Sequence, residues 1–269
     1  MLKNRIAIAG LGTIGLRVAQ AVDSGDLPGL SLTAVSARDK VKAALNIASF
    51  DSVPKIVPLG ELANHADVIV ESSPAAVFSQ SADPAIEKGL IFITVSAAAL
   101  LDRLDLIDRA KETGAQIIVP TGALIGLDAV RAAAEGEIST VTHTVRKPGA
   151  SISGAPYIKE NNINLDDLDT PICVFRGSAS EAAKGFPANV NVSAALGLAG
   201  IGADRTTVEI WADPTVTRNT HEVSVESDSA RFTAKIENVP SENAATGKIT
   251  ALSVIATLRR LSAPLVIGT

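Results

Sequence analysis

The sequence predicts a doubly wound parallel α/β sheet followed by a second, α+β domain with a mostly antiparallel sheet. Three observations carry that expectation. Over residues 5–122, short apolar runs alternate with helical patterns. Gly10, Gly12 and Gly15 stand where the first apolar run gives way to the first helix. From residue 138 onward, apolar and polar residues alternate instead of running together. Continuous Val/Ile-rich runs suit strands buried on both faces, whereas alternation suits a sheet with one wet face.

In order, "RIAIAG" (5–10) reads as a strand, "TIGLRVAQAVDSG" (13–25) as a helix and "LSLTAVSA" (30–37) as a second strand. "DKVKAALNIA" (39–48) reads as a helix. "ADVIVESS" (66–73), "GLIFITVSA" (89–97) and "AQIIVPTG" (115–122) complete the buried strands, with helices near 75–88 and 100–113. The last of these ends in "KETG", a cationic turn followed by the glycine that commonly terminates a helix. "GALIGLDAVRAAAEGE" (122–137) reads as one more helix. Alternating strands follow at 138–149, 206–214, 220–227 and 230–240, the last two joined by the turn "ESDSA". Helices are expected near 178–184 and 188–200, and 150–171 is expected to be an irregular polar loop. The predicted domains are 1–122, completed by a C-terminal amphipathic helix in 246–269, and 123–245, a substrate-binding and dimerisation unit.

Composition narrows the function. With 269 residues, the chain is long enough for one large domain or two modest ones. Aromatic residues make up 3%, so the cores must be built from Ala, Val, Leu and Ile. A net charge of −5 leaves no basic footprint for nucleic acid or anionic lipid. "MLKNRIAIAG" lacks the long apolar stretch of a signal peptide, and no run is long enough to span a membrane. A cytoplasmic protein is expected. Cys173 is the single cysteine, so an intrachain disulfide or a multi-cysteine metal site is excluded. Within "TPICVF" it reads as a small buried thiol, and no metal site is expected.

The glycines have the spacing G-x-G-x-x-G in the strand-to-helix setting that this dinucleotide-binding signature requires. Gly10 permits the tight turn, Gly12 lets the backbone approach a pyrophosphate, and Gly15 lets the helix pack against the strand. Thr13 and Ile14 open that helix, whose free N–H groups would face the phosphates. An acid at the tip of the second strand would bind ribose hydroxyls and repel a 2′-phosphate. The sequence there is "AVSARDK", with Ser36 and Arg38 placed to grip a phosphate, Lys40 close behind and Asp39 one step further into the turn. Arg pairs with phosphate through two charge-assisted bonds. NADP is therefore favoured over strict NAD, the alternative being that Arg38 stacks on the adenine and discriminates little.

Of the three histidines, His65 precedes a strand and reads as a surface residue. His143 shares a strand face with Val145 and Lys147, and could meet a substrate if that face lines a cleft. The preferred reading is a sheet histidine at the surface or a domain interface. His221, in "DPTVTRNTHEV", opens a strand just after a turn containing Asp213, Pro214 and Asn219, and could exchange protons at neutral pH. Asn189 and Asn191 open the helix in "GFPANVNVSAALGLAGIG", whose first turn could hold a carboxylate or carboxamide. A capping Asn before a small-residue helix is the alternative. Gly122 and Ala123 are expected at a strand tip, where the backbone can approach a ligand.

Taken together, "GLGTIG", "TGALIGLDAV", "RKPG", "FPANVNVSAALGLAG" and "DPTVTRNTHEV", in that order over essentially the whole chain, resemble the L-aspartate dehydrogenases. The resemblance implies a homodimeric NAD(P)-dependent enzyme that oxidises L-aspartate to iminoaspartate. It places the catalytic histidine at His221 and cofactor contacts near the nicotinamide at Ala123 and Asn189. Two departures stand out. Ala37 occupies the place of an Asp in the family's "YDRD"-like pattern, which puts NAD preference in doubt. Gly149 follows Lys147-Pro148 where the family has a second proline. Lys147 and the helix opening at Asn191, with Asn219 beside His221, are the expected substrate contacts. Another two-domain NADP-dependent dehydrogenase acting on a small acid, or a cofactor-binding sensor without turnover, are the competing readings.

Overall fold

The computed structural model describes residues 4–187, 190–241 and 247–268. Asn189 lies outside the described residues. The chain divides into two compact units, Met1–Gly122 with Thr250–Val266, and Ala123–Ile249 with Ile267–Thr269.

In the first unit the strands are β1 (Asn4–Ala9), β2 (Leu30–Ser36), β3 (Lys55–Ile56), β4 (Val68–Glu71), β5 (Ile91–Thr94) and β6 (Gln116–Ile118). They form one sheet in the order β3-β2-β1-β4-β5-β6, parallel throughout. That order reverses direction beside β1, and a ligand is expected at the carboxyl ends of the strands there. The helices are α1 (Thr13–Asp23), α2 (Lys40–Ile47), α3 (Phe78–Glu87), α4 (Ala97–Leu101) and α5 (Asp105–Thr113). Gly114 ends α5 in the left-handed conformation, φ 77°. β3 has no counterpart in the sequence reading, because two residues between Pro54 and Pro58 carry no period.

Ile6 and Ile8 of β1, Val35 of β2 and Val68 and Val70 of β4 form the centre of this core, with Val18 and Val22 of α1 against them. Each such side chain contributes about 1.5–3 kcal/mol on burial. The C-terminal helix, α10 (Lys248–Arg260), adds Val254 and Leu258 to the same cluster. Ser253 Oγ accepts a bond from Gly122 N–H at 3.1 Å, and Arg259 donates to the Asp26 carbonyl at 2.8 Å.

The second unit has β7 (Ile138–Lys147), β8 (Ile172–Ser178), β9 (Thr207–Ala212), β10 (Asn219–Ser227) and β11 (Arg231–Asn238), in the order β11-β10-β7-β9-β8. Only β7 and β9 run parallel. α6 (Leu127–Ala133), α7 (Pro156–Glu160), α8 (Ala179–Gly185) and α9 (Asn191–Ala199) belong to this unit. Ser178 and Glu181 form a reciprocal capping box at the start of α8.

Three local expectations change. The helix expected over 122–137 shortens to α6, because Gly122 and Gly126 take φ of 62° and 86° and hold a loop before it. Ala123 accordingly sits in that loop and not at a strand tip. The stretch at 150–171 is anchored rather than free: Ile152 and Ile158 are buried, and Tyr157 packs against Phe175 and Phe186. Cys173 is exposed, not buried. It lies on the edge strand β8, where a register shift between Cys173 and Phe175 buries Val174 and Phe175 in succession and leaves the thiol outside.

Candidate functional site

The glycine turn is built almost entirely from backbone. Gly10 has φ 95°, and a Cβ there would lie 2.8 Å from the Ser72 carbonyl oxygen. A Cβ on Gly15 would lie 1.9 Å from the Gly10 carbonyl oxygen, so the helix can approach this closely only through glycine. Gly12 is different: a Cβ would meet nothing within 4 Å. Its side faces open space at the head of α1, a helix with no side-chain cap and no acid in its first turn. Four N–H groups and the positive end of the helix dipole are thus left for a ligand. Thr13 is exposed and Ile14 half-buried beside them. These features fit a dinucleotide pyrophosphate.

Glu71 ends β4, one residue before the Ser72 that packs against Gly10. Its buried carboxylate accepts bonds from Ser73 N–H and Oγ, Thr94 Oγ1 and Ser96 Oγ, at 2.7, 2.8, 2.6 and 3.2 Å. Burial pushes this carboxyl above its ordinary value, against the pull of those donors. The sequence reading missed it, since "VIVESS" looks like a strand end with an ordinary surface acid.

At the end of β2, Ser36 is buried and its carbonyl accepts from Gly10 N–H at 2.9 Å, while Arg38 is exposed. The Asp39 carboxylate accepts from Lys42 N–H at 2.9 Å and caps α2. The acid near this tip is therefore spent on a helix.

In the second unit the inner face of the sheet gathers buried titratable side chains. Along β7, Val141, His143, Val145 and Lys147 all point inward and are buried. His221 stands opposite Val145 on β10, and Asn219 opposite Asn238 on β11. His143 is 0% and His221 4% exposed, so the surface reading of His143 does not hold. Its Nε2 lies 3.1 Å from His221 Nδ1, and its Nδ1 lies 2.9 Å from Ser193 Oγ on α9. The two ring planes are 18° apart, which lets a ring N–H of one point along the in-plane lone pair of the other. Burial, with the nearby Lys147 charge, pulls His143 down to about 3 and His221 well below its ordinary value. Both rings are neutral at physiological pH.

Lys147 is 3% exposed, and burial lowers its ammonium to about 8. The neighbouring Arg146 points to the opposite face, where it pairs with Asp213 at 3.3 Å and lies over the Trp211 ring. Asn219 is half-buried and Asn191 exposed at the first turn of α9. Asn238, which the sequence reading passed over, is buried and donates to the Ala123 carbonyl at 2.9 Å. Its Oδ1 has no hydrogen-bond partner among the described residues. His65 is half-buried at the end of a short 3₁₀ turn, apart from this cluster in the other unit.

Residues 10–120 match the family model described as homoserine dehydrogenase, NAD binding domain, and residues 128–261 the model described as aspartate dehydrogenase, C-terminal. An L-aspartate dehydrogenase of Bradyrhizobium diazoefficiens is 52% identical over 98% of this chain and 94% of its own length. The chain belongs to the aspartate dehydrogenase family. A second relative, L-aspartate dehydrogenase 3 of Bordetella bronchiseptica, is 50% identical over 98% of this chain and 97% of its own. The crystal structure of aspartate dehydrogenase from Thermotoga maritima shares the fold, with a TM-score of 0.74 at 24% identity, covering 98% and 99% of the two chains. In this member of the aspartate dehydrogenase family, the NAD-binding match covers the glycine turn, Arg38 and Glu71. The aspartate dehydrogenase match covers His143, Lys147, Ser193 and His221. Among the described residues no helix is long and apolar enough to cross a membrane.

Proposed function

We propose that this protein oxidises L-aspartate to iminoaspartate, and in reverse reductively aminates oxaloacetate, with NADP or NAD. The observation that carries this reading is a buried lysine beside a hydrogen-bonded pair of neutral histidines, in a chain of the aspartate dehydrogenase family. Unit 1 serves as the dinucleotide-binding domain and unit 2 as the substrate-binding and dimerisation domain. The cofactor supplies the hydride acceptor. Gly10, Gly12, Thr13, Ile14 and Gly15 hold its pyrophosphate, and Ala123 and Asn189 join the cofactor set on the family resemblance.

Aspartate presents two carboxylates and an ammonium group. Lys147 pairs with a carboxylate, and the opening of α9 at Asn191, with Asn219 beside His221, provides further polar contacts. The substrate amine must lose its positive charge before hydride can leave Cα. His221 is the base: Nδ1 is engaged by His143, which leaves Nε2 to take the proton and, in reverse, to return it. The charge balance of the site favours this transfer, because the substrate's two carboxylates offset both Lys147 and the imidazolium that forms.

Ser36 and Arg38 favour NADP, supported by the commitment of Asp39 to capping α2. The protein is expected to be a cytoplasmic homodimer, which sedimentation of the purified chain would check. The reaction is tested by absorbance at 340 nm with aspartate and each cofactor, then with oxaloacetate and ammonia in reverse. Turnover with aspartate, and not with glutamate or alanine, is expected. Arg38→Ala should shift the NADP-to-NAD ratio of kcat/KM toward NAD by roughly tenfold, the worth of a charged hydrogen bond. Tight NADPH binding without turnover in either direction would overturn the proposal.

A further inference from the structure

We propose that His143, held by Ser193, is a positioning residue that fixes the tautomer and ring orientation of His221. The inference rests on the reading of His221 as the base.

A neutral imidazole carries one N–H and one lone pair, and the bond made at one nitrogen decides which form is present. For His221 to accept a proton at Nε2, its N–H must be on Nδ1. That N–H then has to find an acceptor, and the atom 3.1 Å away is His143 Nε2. With Nε2 accepting, His143 carries its own proton on Nδ1 and donates to Ser193 Oγ at 2.9 Å. Ser193 is buried on α9, His143 on β7 and His221 on β10, so three separate elements clamp the chain of bonds. The hydroxyl can accept or donate, so it closes the chain without a second charge.

The logic is that of the aspartate behind the histidine in a Ser-His-Asp triad, with one difference. An aspartate at this place would put a negative charge beside Lys147 and compete for it with the substrate carboxylate. A histidine orients His221 and adds no charge. In the reaction the ammonium proton passes to His221 Nε2, the Nδ1–H remains bonded to His143 Nε2, and the pair gains one positive charge as the substrate loses one. No bond other than N–H changes in that step.

The chain has three histidines, so 15N-histidine labelling of the full-length protein gives three ring systems, and His65→Gln removes the one outside the site. With NADP bound at neutral pH, both remaining rings are expected to carry the proton on Nδ1, the less common neutral tautomer. A His221 ring protonated on Nε2 overturns the proposal, whatever the kinetics. In turnover, His143→Ala should lower kcat roughly a hundredfold, near the lower end of what general base catalysis contributes, with KM for aspartate and NADPH binding little changed. His143→Gln, whose Oε1 can accept from His221 Nδ1, should recover most of that loss. Undiminished kcat in His143→Ala overturns the proposal, and so does a Gln variant no better than Ala. The underlying reading fails separately, if His221→Ala keeps full activity.

Discussion

The two candidate functional regions are built from opposite materials. The turn at Gly10–Gly15 is backbone with side chains removed: two glycines allow close packing and the third faces open space. The inner face of the β7–β10 sheet is the reverse, a set of polar side chains, His143, Lys147 and His221, buried with Ser193 of α9 among apolar neighbours. The first can bind a dianion because its N–H groups are uncommitted. In the second, burial keeps two histidines neutral and lowers a lysine to about 8, the setting on which the proposed proton transfer rests. On the proposed function, one region is general for a cofactor class and the other selects a reaction.

The contrast predicts separable effects. The largest should come from His221→Ala, which ought to lower kcat by about 10²–10⁴-fold, the usual worth of a positioned base, while NADPH affinity stays within twofold. Steady-state kinetics beside a fluorescence titration of NADPH would measure both. A parallel loss of cofactor binding would break the separation between the regions.

Lys147 gives the next effect. Lys147→Met should raise KM for aspartate roughly 10- to 100-fold, corresponding to about 1.5–3 kcal/mol for a charged hydrogen bond. Because burial lowers Lys147 to about 8, kcat/KM should fall as pH rises through that value and the ammonium deprotonates. Lys147→Arg stays charged and should abolish the fall. Stability moves the other way. Between about 8 and the ordinary lysine value of 10.5, the unfolded chain binds more protons than the folded one, so stability increases with pH across that window. Below it both states are protonated and the penalty is constant. Urea denaturation of wild type and Lys147→Met at pH 7.5 and 10 (roughly the two ends of the window) should show a more positive change of stability with pH in wild type than in the variant.

Gly12→Ala should have the smallest effect and the clearest direction. A methyl there meets no protein atom, so folding should lose at most about 1 kcal/mol, the cost of a poorer helix cap. It would stand where a pyrophosphate approaches, and NADPH binding should weaken by up to roughly tenfold. Equal loss of stability and affinity would mean that the space at Gly12 is structural.

How much of this was legible in the sequence follows the same contrast. The glycine turn was readable because every residue that makes it lies within six positions, and Cβ-free backbone has few alternative uses. His221 was singled out from its polar turn and from the family resemblance. His143 is legible as a neighbour of Lys147 on one strand face, and its burial is not, since alternation alone does not say which face is covered. Cys173 reads as a buried thiol only because a lone cysteine among apolar residues carries no sign of the edge strand β8 or of its register shift, which leave it exposed. Glu71 and Asn238 gave no signal, because a lone acid or amide at a strand end looks the same whether solvated or buried.

The sequence by itself determined the alternation of strands and helices, the dinucleotide turn and the change to an antiparallel sheet, all set by patterns that repeat within a few residues. Tertiary structure alone decided that the strand face of His143 and Lys147 is buried and that His221 of β10 and Ser193 of α9 join it there, three elements drawn from 79 consecutive positions. The physical reason is burial. A proton's place on an imidazole, or a lysine's hold on its charge, depends on which groups exclude water from it. That is settled by strands pairing across the sheet, and the order of residues along the chain does not record it.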